Sequence, residues 1–366
     1  MRTAIDLFAG AGGATQGLRD AGFAVVAAVE NDPHAAQTWR LNHPGSMVAG
    51  DVRQVTGAQL LEAGGVEGQL DLLKACPPCQ GFSSLRGNRE PDAARNDLVL
   101  DTLRLVGELV PRAVLLENVP GLRRDGRFDV LLSGMRELGY SLTDFVVEAS
   151  TLGVPQRRRR LVVVAVHGAG DVPASVEELL PPASRRPAMT AGQALAVLAA
   201  AQEPEDPSHV WRKARGVVAE RIAAVPVGGT RFDLPERLQL DCHRRLKTKA
   251  GVVNRSATGS YGRVRLDEPA PTMTTRCTTP ACGAFIHPTE HRGLSLREAA
   301  ALQTFPATYR WHGGYESVER QIGNAVPVWM AEALGRAVGH LLDRQDALGT
   351  GPVPPGSLDQ ALVAQA

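Results

Sequence analysis

The strongest constraint on this chain is an alternation, across residues 1–166, of short apolar runs with segments whose apolar residues recur at helical spacing. Residues 3–8, 24–30, 70–75, 113–117 and 161–166 read as strands, while 96–110 and 128–138 carry the helical period. Strands that alternate with helices in this way need crossover connections. The prediction is a mostly parallel sheet covered by helices on both faces, an α/β domain of the nucleotide-binding type.

Beyond residue 167 the rhythm fails. Prolines punctuate the chain at Pro181-Pro182 and again at Pro204 and Pro207, and few periodic segments remain up to about residue 290. A second, irregular domain is expected there. Although the whole chain of 366 residues carries a net charge of only +1, residues 208–276 hold 14 Lys/Arg against 6 Asp/Glu. A local excess of this kind suits a surface facing phosphates, or a solvated loop region. Helical patterning returns at 295–303 and 326–342, so the last part is expected to pack back on the first domain. The expected division is therefore 1–166 with 292–345, then 167–291, with 346–366 as a disordered tail rich in Gly, Pro, Ala and Gln. Five cysteines argue against a secreted disulfide framework, no signal peptide is visible, and no apolar run is long enough to span a bilayer. A cytoplasmic protein with no membrane partner is expected.

Three constellations carry chemistry. The first strand runs into Asp6-Leu7-Phe8-Ala9-Gly10-Ala11-Gly12-Gly13, where glycines let backbone N–H groups approach a ligand closely or simply make a tight turn. Glu30 ends the second strand twenty residues after Gly10, where an acid can accept hydrogen bonds from a ribose diol. Asp51, in Gly50-Asp51-Val52, is placed to hold the base or amine of the same ligand. Next, Cys79 follows Cys76-Pro77-Pro78, and two prolines hold the thiol on a stiff turn. A free thiol has a pKa of about 8.5 and needs a nearby cation to react as thiolate. Gln156-Arg157-Arg158-Arg159-Arg160 supplies cations or a phosphate patch; if extended, it points Gln156, Arg158 and Arg160 to one side. Finally, Glu117 ends an apolar strand, where burial favours a proton-holding carboxyl.

Taken in order, these segments resemble the cytosine-C5 DNA methyltransferases. Further matches are Glu30-Asn31, Pro77-Pro78-Cys79-Gln80-Gly81-Phe82-Ser83, Glu117-Asn118-Val119, the helix around Leu296-Arg297-Glu298 and Gln321-Ile322-Gly323-Asn324-Ala325-Val326-Pro327. Cys76 departs from the family pattern, being small but not glycine, and little effect is expected from it. The resemblance implies a Rossmann-like S-adenosylmethionine methyltransferase sheet, with 167–291 as a smaller target-recognition domain. It implies Cys79 as the nucleophile, Glu117 on the base, Arg158 at the base or thiolate and Arg160 as a buttress. S-adenosylmethionine would lie against Phe8, Gly10, Gly12, Gly13, Glu30, Asn31, Asp51, Val52, Pro78, Asn324 and Val326. Gln80, Ser83, Arg86, Asn118 and Gln156 would face duplex DNA, with the loop 83–98 closing on a flipped cytosine. No metal is expected. The implied setting is a monomer acting on double-stranded DNA at the nucleoid, alone or beside a separately encoded cognate restriction endonuclease.

Other readings compete with this one. Cys277, Cys282, His287 and His291 have residue types that suit zinc, but their spacing makes a small loop. Cys76-x-x-Cys79 has the form of a redox pair, yet a thiol oxidoreductase would need neither Glu117 nor the four arginines. The same chemistry on transfer RNA is the nearer rival, against which Gly81-Phe82-Ser83 is the DNA-type continuation. A catalytically silent DNA-binding module would not need all of these residues.

Overall fold

A computed structural model describes residues 1–78, 97–168, 172–180, 186–201, 206–241 and 259–349. Seven strands form one sheet: β1 (Thr3–Leu7), β2 (Ala24–Glu30), β3 (Ser46–Ala49), β4 (Leu72–Ala75), β5 (Ala113–Asn118), β6 (Tyr140–Glu148) and β7 (Arg159–His167). Their order is β3-β2-β1-β4-β5-β7-β6. The first five pair in parallel, and β7 runs antiparallel to both β5 and β6. The α/β sheet expected from the alternation is therefore present, with β3 and β6 added at its two edges.

Between the strands lie α1 (Gly13–Asp20), α2 (Pro33–Asn42), α3 (Gly57–Gly64), α4 (Leu98–Leu109) and α5 (Gly126–Glu137). There follow α6 (Val176–Leu179), α7 (Ala191–Ala201), α8 (Gly216–Ala224), α9 (Leu296–Leu302), α10 (Tyr315–Asn324) and α11 (Val328–Ala347). Helix starts follow local chemistry: Asp32 caps α2 by accepting from the amides of His34 and Ala35, and Pro33 is preset for the first turn. Thr56 and Gln59 form a capping box for α3.

The chain divides into two compact units, Met1–Glu148 with Arg159–Arg185 and Val328–Ala366, and Ala149–Arg158 with Arg186–Pro327. In the first, alternate residues of the central strands, among them Ile5, Leu7, Leu73, Ala75, Val114, Leu116, Leu161 and Val163, join a core with Leu60, Leu105 and Leu131 from α3, α4 and α5. α1 and α11 lie on the other face. They meet at Gly17, where a Cβ would stand 2.3 Å from the Val328 carbonyl oxygen, so only glycine lets the two backbones touch.

The second unit contains little regular structure and satisfies its backbone in another way. Arg263 is buried and donates to the carbonyls of Ile222, Val225, His287 and Glu290 at 2.6 to 3.1 Å. One guanidinium thus supplies donors that a sheet ladder would supply elsewhere. α9 belongs here, although the expected division began the return to the first domain at residue 292. Its start is a Ser295–Glu298 capping box, and Arg292 donates to both Glu298 oxygens at 2.8 Å. The compact unit resumes only at Val328. The tail beyond residue 349 lies outside the described residues, and 346–347 complete α11.

Candidate active site

The C-terminal ends of β1, β2 and β3 form a cradle. After β1 the backbone turns sharply: Phe8 (φ 57°), Gly10 (φ 57°) and Gly12 (φ 93°) are all left-handed. Such a conformation is strained for a phenylalanine and marks a turn fixed by its surroundings. Glu30 fixes it, since its Oε2 accepts from the Gly10 amide at 2.8 Å and its Oε1 from the Asp32 amide at 2.7 Å. Burial raises the Glu30 carboxyl above its ordinary range, against the pull of these amides. A carboxylate offers about four lone-pair sites, which leaves capacity for a diol.

The other cradle residues sit close by in the chain. Asn31 is exposed beyond Glu30, and Gly13 opens α1. Asp51 caps the turn after β3 and accepts from both the amide and Nε of Arg53 at 3.0 Å; this partner holds its carboxyl below the usual range. Val52 is buried, its carbonyl accepting from Arg104 Nη2 at 2.9 Å. A Cβ placed on Gly10 would meet nothing within 4 Å, so that face of the turn is open. The open turn, the oriented carboxylate and the acid after β3 fit an adenosyl group.

Glu117 is only 3% exposed at the end of β5, and it is not a lone buried acid. Arg160 Nε lies 2.8 Å from its Oε1, and the Cys76 thiol donates to its Oε2 at 2.9 Å. The row continues across the sheet. Lys74, also 3% exposed, stands opposite Asp6 in the β1–β4 register, with Nζ 2.8 Å from Oδ1. Thr15 donates to the other Asp6 oxygen at 2.6 Å and accepts from Trp39 Nε1 at 2.8 Å. Acid, base, thiol, acid and base thus cross four neighbouring strands on the face opposite the apolar core. Asn118 donates to the Pro77 carbonyl at 3.0 Å, which braces the strand end leading to Pro78. Cys79, Gln80, Ser83, Arg86 and the rest of 79–96 lie outside the described residues.

The sequence pattern of the C-5 cytosine-specific DNA methylases matches residues 2–340. The chain belongs to this family. It is 32% identical over 351 residues to the type II methylase M.HgiDII of Herpetosiphon aurantiacus, covering 93% of this chain and 95% of that protein. It is 35% identical over 352 residues to the type II methyltransferase M.Eco47II of Escherichia coli, covering 93% and 80% respectively. A crystal structure described as a DNA modification methyltransferase encoded within an E. coli prophage superposes with a TM-score of 0.66, at 28% identity over 94% of this chain and all of that one. The S. pombe Dnmt2 methyltransferase shares the fold, with a TM-score of 0.65 at 16% identity over 94% and 99%. As a C-5 cytosine-specific DNA methylase the chain is an enzyme acting on DNA, and S-adenosylmethionine is the methyl donor that the family implies. No helix among the described residues is long and apolar enough to cross a membrane.

Two residues expected to face DNA, Gln156 and Asn118, are buried in this methylase and hydrogen-bonded within the chain. Gln156 is fully buried in the second unit. It donates to Leu302 O at 3.1 Å and Gln303 Oε1 at 2.9 Å and accepts from the Met273 amide at 2.9 Å, so both ends of its amide are engaged within the chain. Asn118 is likewise only 3% exposed, with its amide on Pro77. Arg158, also in the second unit, is buried and donates to Met273 O at 3.2 Å. In the same unit Asn324 is exposed at the end of α10 and Val326 is buried. The four residues weighed for zinc are used separately. Cys277 donates to Glu319 O at 3.7 Å, His287 accepts from the Thr289 and Glu290 amides, His291 meets Arg263 at 3.0 Å and Cys282 is exposed. Cys76, expected to be a bystander, is a ligand of Glu117. Sequence reading also passed over Lys74, although a lysine inside the run Leu72-Leu73-Lys74-Ala75 signals a buried partner.

Proposed function

We propose that this enzyme methylates C5 of a flipped-out cytosine in duplex DNA, with Cys79 as nucleophile and Glu117 as the group that engages the base. The observation that supports the reading is Glu117 itself, a buried carboxylate at a strand end that accepts from the Cys76 thiol on one oxygen and forms an ion pair with Arg160 through the other. Cytosine C5 is a weak nucleophile. Addition of the Cys79 thiolate to C6 moves electron density to C5, and Glu117 at N3 and the exocyclic amine stabilises the charge that develops on the ring. Bound S-adenosylmethionine supplies an electrophilic methyl group at a sulfonium. Once C5 has gained a methyl, with the sulfonium C–S bond broken and a neutral thioether released, loss of the C5 proton to a base would let the Cys79 thiolate leave as C5 and C6 regain their double bond. Glu30, with the turn at Gly10 and Gly12, would hold the ribose; Asp51, Asn31 and Val52 would flank the base. Residues 167–291 would supply target recognition.

The matched type II methylases support a modification role beside a separately encoded nuclease. Cys79→Ala protein should bind S-adenosylmethionine yet transfer no tritiated methyl to DNA, and retained transfer would remove Cys79 as nucleophile. With 5-fluorocytosine at the target, the wild type should form a complex that survives a denaturing gel. Bisulfite sequencing of DNA from expressing cells would report the modified atom and the recognition sequence together; unmodified cytosines throughout would refute the substrate assignment.

A further inference from the structure

Register decides what stands beside Glu117. β4 pairs with β5 so that Lys74 faces Leu115 and Ala75 faces Leu116, which makes Cys76 and Glu117 the next pair. Paired residues of neighbouring strands point to the same face, and the Cys76 Sγ is 2.9 Å from Glu117 Oε2. Val162 is the antiparallel partner of Glu117, and Arg160, two residues earlier on β7, shares its face. Its Nε is 2.8 Å from Oε1. The terminal torsion of a glutamate is broad and roughly two-fold, so a carboxylate held at one oxygen can still swing. Here three strands hold it from two sides.

The thiol is suited to this task because it keeps its proton. Burial, then the neighbouring Glu117 charge, push the Cys76 thiol above its ordinary value, with Lys74 and Arg160 opposing. A protonated thiol is a weak donor and a poor nucleophile. Three residues from a cysteine that must react, Cys76 is thereby kept as a donor.

We propose that Cys76 is a positioning residue for methyl transfer: its thiol donates to Glu117 Oε2 and, with Arg160 on Oε1, fixes the carboxylate in the orientation that meets cytosine. This rests on the assignment of Glu117 to the base. Removing one donor to a buried charged group costs enough to lower a rate by roughly tenfold. C76A, C76S and E117Q are compared with the wild type in single-turnover and steady-state methyl transfer to DNA, with S-adenosylmethionine binding measured on each. The expected result is that C76A lowers kcat about tenfold with S-adenosylmethionine affinity unchanged. C76S, whose hydroxyl also donates, recovers most of the rate.

Wild-type kcat in C76A, or C76S as slow as C76A, overturns the positioning role. A wild-type rate in E117Q instead overturns the assignment of Glu117 itself, and the two failures are thus separable. Should C76A not fold, the native thiol reports directly. Its infrared S–H stretching band is expected to move to higher frequency in E117Q, and a band that does not move overturns the proposal.

Discussion

Lys74 and Asp6 show what a single buried charge demands. Lys74 is 3% exposed and Asp6 is fully buried, with their charged atoms 2.8 Å apart. Taking two ions out of water is costly, and their attraction offsets the cost only while both are present. Burial is the largest single effect on the lysine and acts to lower its pKa, but Asp6, through its charge and a hydrogen bond, leads the opposing effects that together leave it raised. Lys74→Met should therefore destabilise the protein by about 3–5 kcal/mol, because Asp6 is left buried with Thr15 as its remaining side-chain partner. Urea unfolding measures this. The double variant D6N/K74M should recover much of the loss, since no unpaired charge remains. A K74M midpoint equal to wild type would show that the pair is energetically silent.

Among elements, the contact of α1 with α11 depends on Gly17. An alanine there would put its Cβ 2.3 Å from the Val328 carbonyl oxygen and 2.6 Å from the Ala331 Cβ, and neither is the end of a flexible side chain. G17A should lower stability by about 1–3 kcal/mol, seen as a lower thermal midpoint, while the helix-favouring effect of alanine acts weakly the other way. An unchanged midpoint would mean that the helices separate freely. Elements also show where sequence is legible. β1, β2, β4, β5 and β7 were readable because their residues are buried on both faces and so form apolar runs. β3 is a short edge strand of partly exposed residues, and β6 is half-buried with a single neighbour, so neither stood out as a run. At the site, Glu30 and Glu117 were legible as acids ending apolar strands. The Cys76–Glu117 and Lys74–Asp6 contacts were not, because they follow from strand register, which no local pattern carries. The bonds of Gln156 were hidden for a related reason: its partners at Met273 and Leu302 lie more than a hundred residues away.

For the whole molecule, charge must be sorted by where it sits. The sequence concentrates 14 basic residues in 208–276, yet the chain is nearly neutral. Arg231 and Arg263 are buried, while Arg212, Arg237 and Arg265 pair with Glu316, Glu220 and Asp267. Residues 244–255, with five more of the basic side chains, lie outside the described residues. The excess is therefore not one surface. Lys213 and Arg215 are exposed and suited to phosphate, whereas Arg263 works on its own backbone. These roles separate experimentally. K213A/R215A should leave the thermal midpoint unchanged and weaken DNA binding, flattening the salt dependence by about one to two units of slope if each side chain neutralises a phosphate. R263M should instead lower the midpoint strongly, because four carbonyls lose their donor, at a cost of about 1–3 kcal/mol for each buried group left unsatisfied. A K213A/R215A protein with unaltered salt dependence would place phosphate recognition elsewhere in the chain. An R263M protein that melts like wild type would show that the second unit does not depend on its buried guanidinium.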